Sequence, residues 1–168
     1  MEIIRSPADP IEWEQVRALL LDYTELLRAV ARIEPLHEQP SLTRELASPE
    51  RIYDGAAAVL LAAFRGGLAV GTVAVRVHAA GRAELKRMYV RPIARRSGLA
   101  DRLIEAAAVA AGERGCHTIW LETLRGVMDP AIAVYRRNGF VDRADLPRTI
   151  ALDNVVVMER EVASVRVA

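Results

Sequence analysis

The chain has 168 residues, the length of one ordinary domain, and a domain of this size buries enough surface to need no cross-link or metal staple. Hydrophobic residues make up 52% and charged residues 27%, which excludes a disordered chain. Lys+Arg total 23 against 22 Asp+Glu, and a net charge of +1 excludes the clustered basic excess of a nucleic-acid coat. Residues 2–5 read as a short strand. Asp9-Pro10-Ile11-Glu12 then reads as a helix start, with a capping Asp, Pro at the first helical position and Glu three residues after the cap. Trp13, Val16, Leu19, Leu20, Tyr23, Leu27 and Val30 recur at helical spacing and carry this helix to about residue 31. Residues 34–40 break it. A short second helix is expected over 42–47, ended by Ser48-Pro49.

Residues 56–65 read as a buried strand and Gly66-Gly67 as a tight hairpin turn into a returning strand over 68–78. A turn over 79–82 leads to a third strand over 83–90, closed by Pro92. Residues 98–114 form the longest later helix, with Leu99, Leu103, Ala106, Ala107 and Ala110 as its apolar stripe and Gly115 as its stop. A strand follows over 118–123. Asp129-Pro130 is expected to cap a helix to about Arg137, stopped by Asn138-Gly139, and short strands follow at 140–142 and 154–162. The order is β-α-α-β-β-β-α-β-α-β-β in one domain spanning residues 1–168. Hairpins first and strand–helix–strand crossovers later imply an α+β fold with a mixed α/β sheet, antiparallel at the start and parallel near the 98–114 helix.

The single cysteine, Cys116, excludes an internal disulfide and an all-cysteine metal site, and points to the reducing cytosol. Residues 1–7 lack the basic-then-apolar order of a signal peptide, and the longest apolar run, 56–64, falls short of the ~20 residues of a membrane span. A soluble cytoplasmic protein with no membrane partner is therefore expected. No spacing of His, Cys, Asp or Glu suggests a metal.

The segment Val90-Arg91-Pro92-Ile93-Ala94-Arg95-Arg96-Ser97-Gly98-Leu99-Ala100 carries the most chemistry. A strand ends, a basic loop follows and a long helix opens at a glycine. A helix N-terminus presents unpaired N–H groups and a partial positive charge, which together attract anions. Gly98 lets a ligand approach the backbone, and Arg91, Arg95 and Arg96 add formal charge. This chemistry suits a pyrophosphate, and an ordinary connection with solvated arginines is the plain alternative. The dinucleotide Gly-x-Gly-x-x-Gly and Gly-x-x-x-x-Gly-Lys-Ser/Thr patterns are absent.

Arg95-x-x-Gly98-x-Ala100 resembles the Gln/Arg-x-x-Gly-x-Gly/Ala motif of the GNAT N-acetyltransferase superfamily. Glu84-Leu85-Lys86-Arg87-Met88-Tyr89-Val90 resembles the strand before that motif, and Ala133-Val134-Tyr135-Arg136-Arg137-Asn138-Gly139-Phe140 the later helix ending in Gly-Phe. The resemblance implies a mostly antiparallel sheet with a parallel splayed pair, flanked by about four helices. It also implies acetyl-CoA as cosubstrate and transfer to a primary amine of a small molecule or peptide. By it, the backbone N–H groups of Arg95, Arg96, Ser97, Gly98, Leu99 and Ala100 bind the pyrophosphate, and Met88, Tyr89 and Val90 pair with the pantetheine arm. Many members have Gly where Arg96 and Ala100 stand.

Acetyl transfer needs a proton taken from the amine, a stabilised oxyanion and a proton for the leaving thiolate. The resemblance makes Tyr135, five residues before Phe140, the acid for the thiolate; the residues alone also allow a core aromatic on the face of Ala131, Val134 and Asn138. It makes Glu84 the base, directly or through water; a solvated strand-end glutamate fits the residues equally well. No nucleophile for an acyl-enzyme is evident, which favours direct transfer in a ternary complex. His37 and His78 read as surface histidines, His117 and Cys116 as neighbours and not a dyad, and Trp13 and Trp120 as core. Glu122 suits either the cleft or a strand edge. The acceptor pocket is expected from 28–46 and 142–153, where Glu34, His37, Glu38 and Glu45 would favour a cationic amine if they face it, against Arg28, Arg32 and Arg44. The alternative reading is a non-catalytic CoA-binding or sensory module on the same fold. No nucleic-acid partner is expected, and a homodimer is compatible with the resemblance.

Overall fold

The computed structural model describes residues 1–163. In chain order the elements are β1 (Ile3–Arg5), α1 (Pro10–Ala31), α2 (Pro35–Glu38), α3 (Ser41–Ala47), α4 (Pro49–Tyr53), β2 (Ala58–Arg65), β3 (Leu68–His78) and β4 (Arg82–Val90). There follow a 3-10 turn at Pro92–Ala94, α5 (Leu99–Glu113), β5 (Thr118–Leu124), α6 (Asp129–Arg137), β6 (Val141–Asp142) and β7 (Val155–Glu161). The strands form one seven-stranded sheet in the order β1-β2-β3-β4-β5-β7-β6. Every neighbouring pair is antiparallel except β4 and β5. This is the expected mixed α/β sheet with one parallel pair.

Period-two alternation sorts the side chains onto two faces. Val59 stands opposite Val75 and packs with Leu85, Leu103, Ile104, Ile119, Leu121 and Met158 under α5 and α6. Their chain neighbours Leu60 and Ala74 also stand opposite each other, and pack with Val16, Leu19, Leu20 and Tyr53 under α1 and α4. α1 begins as expected: the Asp9 carboxylate accepts the Glu12 N–H at 2.9 Å, and Glu12 accepts the Ala8 N–H at 2.7 Å. Gly66 and Gly67 take φ +56° and +80° in the β2–β3 turn, the left-handed pair that a two-residue hairpin of this kind requires.

Three expectations change. The region after α1 is three short helices and not one, because Pro35 and Pro49 each stand in the first turn of a new helix, where a missing N–H costs nothing. Asp129 is not the cap of α6; it lies inside the first turn, and its carboxylate accepts the Gly126 N–H at 2.8 Å. Gly98 precedes α5 as its N-cap, at φ +75°.

Two features open the sheet. β4 and β5 pair only at Arg82–Thr118, Ala83–Ile119 and Glu84–Trp120, although β4 runs on to Val90 and β5 to Leu124. Beyond Glu84 the two strands fork. On its other side β4 carries a bulge: Thr72 pairs with Tyr89 and Ala74 with Lys86, so Val73 faces both Arg87 and Met88. Arg87 takes φ +55° there, a costly backbone for a non-glycine residue that surrounding contacts must hold.

Candidate active site

A cavity of about 480 Å³ fills the cleft beside the fork, between α5 and α6 and closed by Leu26 and Val30 of α1. It is lined by Met88, Tyr89 and Val90 of β4, by Arg95, Arg96, Gly98, Leu99 and Ala100, and across the cleft by Met128, Val134, Tyr135 and Arg137. Of the turn and strand residues expected to hold the cosubstrate, Ser97 alone is not among those lining it. The Ser97 hydroxyl donates to the Ala94 carbonyl at 2.8 Å and shapes the turn.

The turn is built for an anion. Arg96 and Gly98 both take positive φ, which rotates successive peptide N–H groups toward one side. Among the described residues, the backbone N–H groups of Arg96, Ser97, Gly98, Leu99 and Ala100 have no hydrogen-bond partner. The Arg95 N–H donates to the Pro92 carbonyl at 3.2 Å and is the one expected donor already used. The open amides sit at the start of α5, where the helix dipole adds to their field.

The arginines divide. Arg91 turns away to Asp22 of α1 at 3.0 Å, so its charge is largely spent outside the cleft. Arg95 folds back, donating to the Val90 carbonyl at 2.9 Å with its guanidinium 5.9 Å from the Tyr89 ring centre. Among the described residues Arg96 makes no ion pair. Arg137 enters from α6 and binds Asp101 through two contacts of 2.7 and 2.8 Å. Those bonds, with one from Asn138, hold the Asp101 carboxyl down at about 2. Arg137 was missed in the sequence because nothing in its own segment marks the opposite wall of a cleft.

Tyr135 lies where two cavities meet. It lines the 480 Å³ cleft and also a cavity of about 60 Å³ on the other side of the fork, with Tyr23, Gln39, Lys86, Met88, Glu122, Thr123 and Ile150. It is 8% exposed, and its ring meets Phe140 edge-on at 5.7 Å. Burial, and then the nearby Tyr23, push its phenol well above the usual tyrosine value. It therefore stays protonated across the physiological range.

Glu84 sits at the last paired position before the fork and lines neither cavity. Its carboxylate bonds the His78 ring at 2.9 Å and lies 3.6 Å from the Lys86 ammonium. His78 also packs against Trp120, with ring centres 5.7 Å apart. Lys86 stands between Glu84 and the smaller cavity. His37 is exposed, and Cys116 is buried, its thiol pushed up by that burial.

The side of the fork toward α1 and α3, where the acceptor pocket was expected, is organised by contacts no motif announced. The bulge residue Arg87 is 2% exposed, and its guanidinium binds both oxygens of Glu45 in α3, at 2.5 and 2.9 Å, as well as Gln39 and Ser41. Tyr53 donates to the same carboxylate at 2.6 Å. Burial pushes the Glu45 carboxyl up, but the Arg87 hydrogen bonds and charge outweigh it and hold it at about 2. Glu45 therefore does not face an acceptor. Glu34 is likewise engaged, by Arg28 at 2.9 and 3.0 Å. Glu122 does face the cavity, but its oxygens accept the Thr149 N–H at 2.5 Å, the Thr149 hydroxyl and the Ile150 N–H at 3.4 Å. It ties the 143–154 loop to β5.

Comparison with known proteins identifies the family and the fold. The model of the acetyltransferase (GNAT) family matches residues 13–140. An IAA acetyltransferase of Azospirillum brasilense is 40% identical over 85 residues, 49% of this chain and 54% of that protein, so the chain spans about half the length of this curated relative. The fold superposes on an acetyltransferase of the GNAT family from Staphylococcus aureus with a TM-score of 0.76, at 19% identity over 96% of this chain and 99% of the other. It also superposes on the PaiA N-acetyltransferase of Thermoplasma acidophilum in complex with coenzyme A, with a TM-score of 0.70 at 17% identity over 96% and 98% of the two chains. No helix among the described residues is long and apolar enough to cross a membrane. A forked parallel pair, an open amide turn at the start of α5 and a family match over most of the length together make this chain a member of the acetyltransferase (GNAT) family.

Proposed function

We propose that the protein is an N-acetyltransferase that moves an acetyl group from acetyl-CoA to a primary amine by direct transfer in a ternary complex. One observation carries the reading: Arg96, Gly98, Leu99 and Ala100, whose backbone N–H groups are unpartnered among the described residues, line the same cleft as Tyr135, at the fork of β4 and β5. A row of open amides at a helix start fits a pyrophosphate, and the edge of β4 from Met88 to Val90, which β5 leaves unpaired, fits an extended amide-bearing arm laid alongside it. Bound acetyl-CoA would supply the thioester carbonyl that the amine attacks. The residues present fit that group, and the chemistry asked of the chain is then modest.

The turn amides hold the phosphates, and Arg96 adds charge from the rim. Tyr135, kept protonated by its burial, gives its phenolic proton to the sulfur as the carbon–sulfur bond breaks. Glu84 receives the proton the amine loses, acting through water from the closed end of the fork, with His78 at 2.9 Å to pass it to solvent. The amine enters from the side of α1, α3 and the 143–154 loop. No side chain is required to carry the acetyl group. The protein acts in the cytoplasm.

Titration calorimetry with acetyl-CoA, followed by thiol release with a panel of amines, tests the reading. We expect acetyl-CoA to bind and NADH and ATP not to. Absence of acetyl-CoA binding at millimolar ligand would end it. A Tyr135→Phe protein that turns over as fast as the wild type would leave a binding module in its place. For Glu84→Gln, an unchanged pH–rate profile would remove Glu84 as the proton acceptor.

A further inference from the structure

The smaller cavity beyond Tyr135 is lined by one cation and one anion, Lys86 and Glu122, and only the anion is hydrogen-bonded among the described residues. Lys86, the only lysine of the chain, lines it. Its side chain is 15% exposed, and among the described residues its ammonium makes no hydrogen bond; its single ionic contact is Glu84 at 3.6 Å. Four charged groups act on it: Glu84, Arg87, Glu45 and Arg76. Arg87 and Glu45 are paired with each other and cancel. Glu84 is shared with His78. Arg76 stands opposite Glu84 on β3 with no ion pair among the described residues, so it adds positive charge. Glu122 reaches the cavity and keeps its negative charge, but its oxygens already accept from Thr149 and Ile150, and among the described residues it makes no ion pair with Lys86. Most of the remaining wall is apolar: Leu27, Ile33, Leu85, Leu121, Leu124 and Met128.

A half-desolvated ammonium in an apolar wall is costly unless it gains an anion. Burial already draws Lys86 below the ordinary lysine value. A second cation placed beside it would raise that cost, whereas a carboxylate would remove it through a charge-assisted hydrogen bond.

We propose that Lys86 is a specificity-determining residue that binds a carboxylate on the acceptor, so that the acceptor is a small amine bearing its own acid group, such as a free amino acid, and not a polycation. This rests on the acetyl-transfer reading above. The carboxylate sits on the Lys86 ammonium on the far side of the fork, which leaves the amino group to face Tyr135 and the cleft.

The test compares pairs of amines that differ only by the carboxylate: leucine with 3-methylbutylamine, and alanine with ethylamine, with putrescine as the cationic probe. Acetyl-CoA affinity is measured first, by calorimetry, for the wild type, Lys86→Met and Lys86→Arg. We expect the wild type to favour each amino acid over its decarboxylated partner by about tenfold or more in kcat/KM, the scale of one charged hydrogen bond. Lys86→Met should raise KM for leucine by about tenfold, with little change in kcat, in KM for 3-methylbutylamine or in acetyl-CoA affinity, and Lys86→Arg should restore most of the preference. Binding of N-acetylleucine and of N-(3-methylbutyl)acetamide to the CoA-loaded protein gives a readout free of turnover. Only the first should bind, and Lys86→Met should lose it. Equal use of both members of a pair, preference for putrescine, an equal loss for both amines in Lys86→Met, or equal binding of the two amides would each overturn the proposal. Failure to bind acetyl-CoA would instead remove the functional reading on which it stands.

Discussion

The two sides of the fork are made of different material. On the α5 side the anion site is backbone: amides of consecutive residues 96–100, turned by positive φ at Arg96 and Gly98. On the other side the walls are side chains joined across long stretches of chain, Arg87 to Glu45 over 42 residues and Glu122 to Thr149 over 27. A backbone site needs only the right conformation, so most side chains there are free to vary. A side-chain site needs partners from distant elements to arrive together. The proposed cosubstrate end is therefore written as a local pattern, and the proposed acceptor end as tertiary contacts.

Breaking each side separately tests this division. The largest effect is expected at the acceptor wall. Arg87→Met leaves the Glu45 carboxylate buried without its partner, a loss of about 3–5 kcal/mol, read by denaturant titration. The double variant Arg87→Met/Glu45→Leu should recover most of it, because two apolar groups need no pairing. A single variant within about 1 kcal/mol of the wild type would show that the pair does not hold the bulge. The same pair sets an acid dependence. The folded Glu45 carboxyl, at about 2, lies below its free value of 4.5. Its contribution is therefore complete above pH 4.5 and is lost as the pH falls toward 2. Arg87→Met should lack that component of acid unfolding.

Next in size is Tyr135→Phe. We expect kcat to fall by about 10²-fold, near 3 kcal/mol, with acetyl-CoA affinity unchanged. At the backbone site, Gly98→Glu sets a negative side chain beside the open amides on a backbone at φ +75°. Acetyl-CoA affinity should weaken by about 30- to 100-fold, seen by calorimetry, while the thermal midpoint falls by only about 2–4 °C, the strain of a non-glycine residue at this φ. If Gly98→Glu and Arg87→Met damaged acetyl-CoA binding alike, the two sides would not be separable. The smallest effect is expected for Glu122→Gln, which weakens the hold on Thr149. KM for the amine should rise about threefold, with acetyl-CoA binding untouched.

Strand and helix order were legible because hydrophobic period reports which faces are covered. β3 runs from Leu68 to His78, as the Gly66-Gly67 turn and the apolar run after it require, and α5 opens just after Gly98. The helices between residues 35 and 53 were less so. Pro35 and Pro49 each signal an end and a start alike, and only packing decides which. Arg91 reads as part of the anion turn by its position, yet Asp22, 69 residues away, takes it at 3.0 Å. Glu45 reads as an acid of the expected acceptor pocket, yet it is buried on Arg87. No local pattern marks Lys86 as the cation of the acceptor cavity, since its neighbours cancel only once they are paired.

By itself, the sequence determined the element order, the strand-to-helix turn at Gly98 and the position of Tyr135, because each depends on residues within one or two turns of chain. Tertiary structure alone decided where β4 and β5 part, which charges neutralise each other and which is left to meet a ligand. These depend on the sum of distant partners, and the energy of a buried charge is set by that sum.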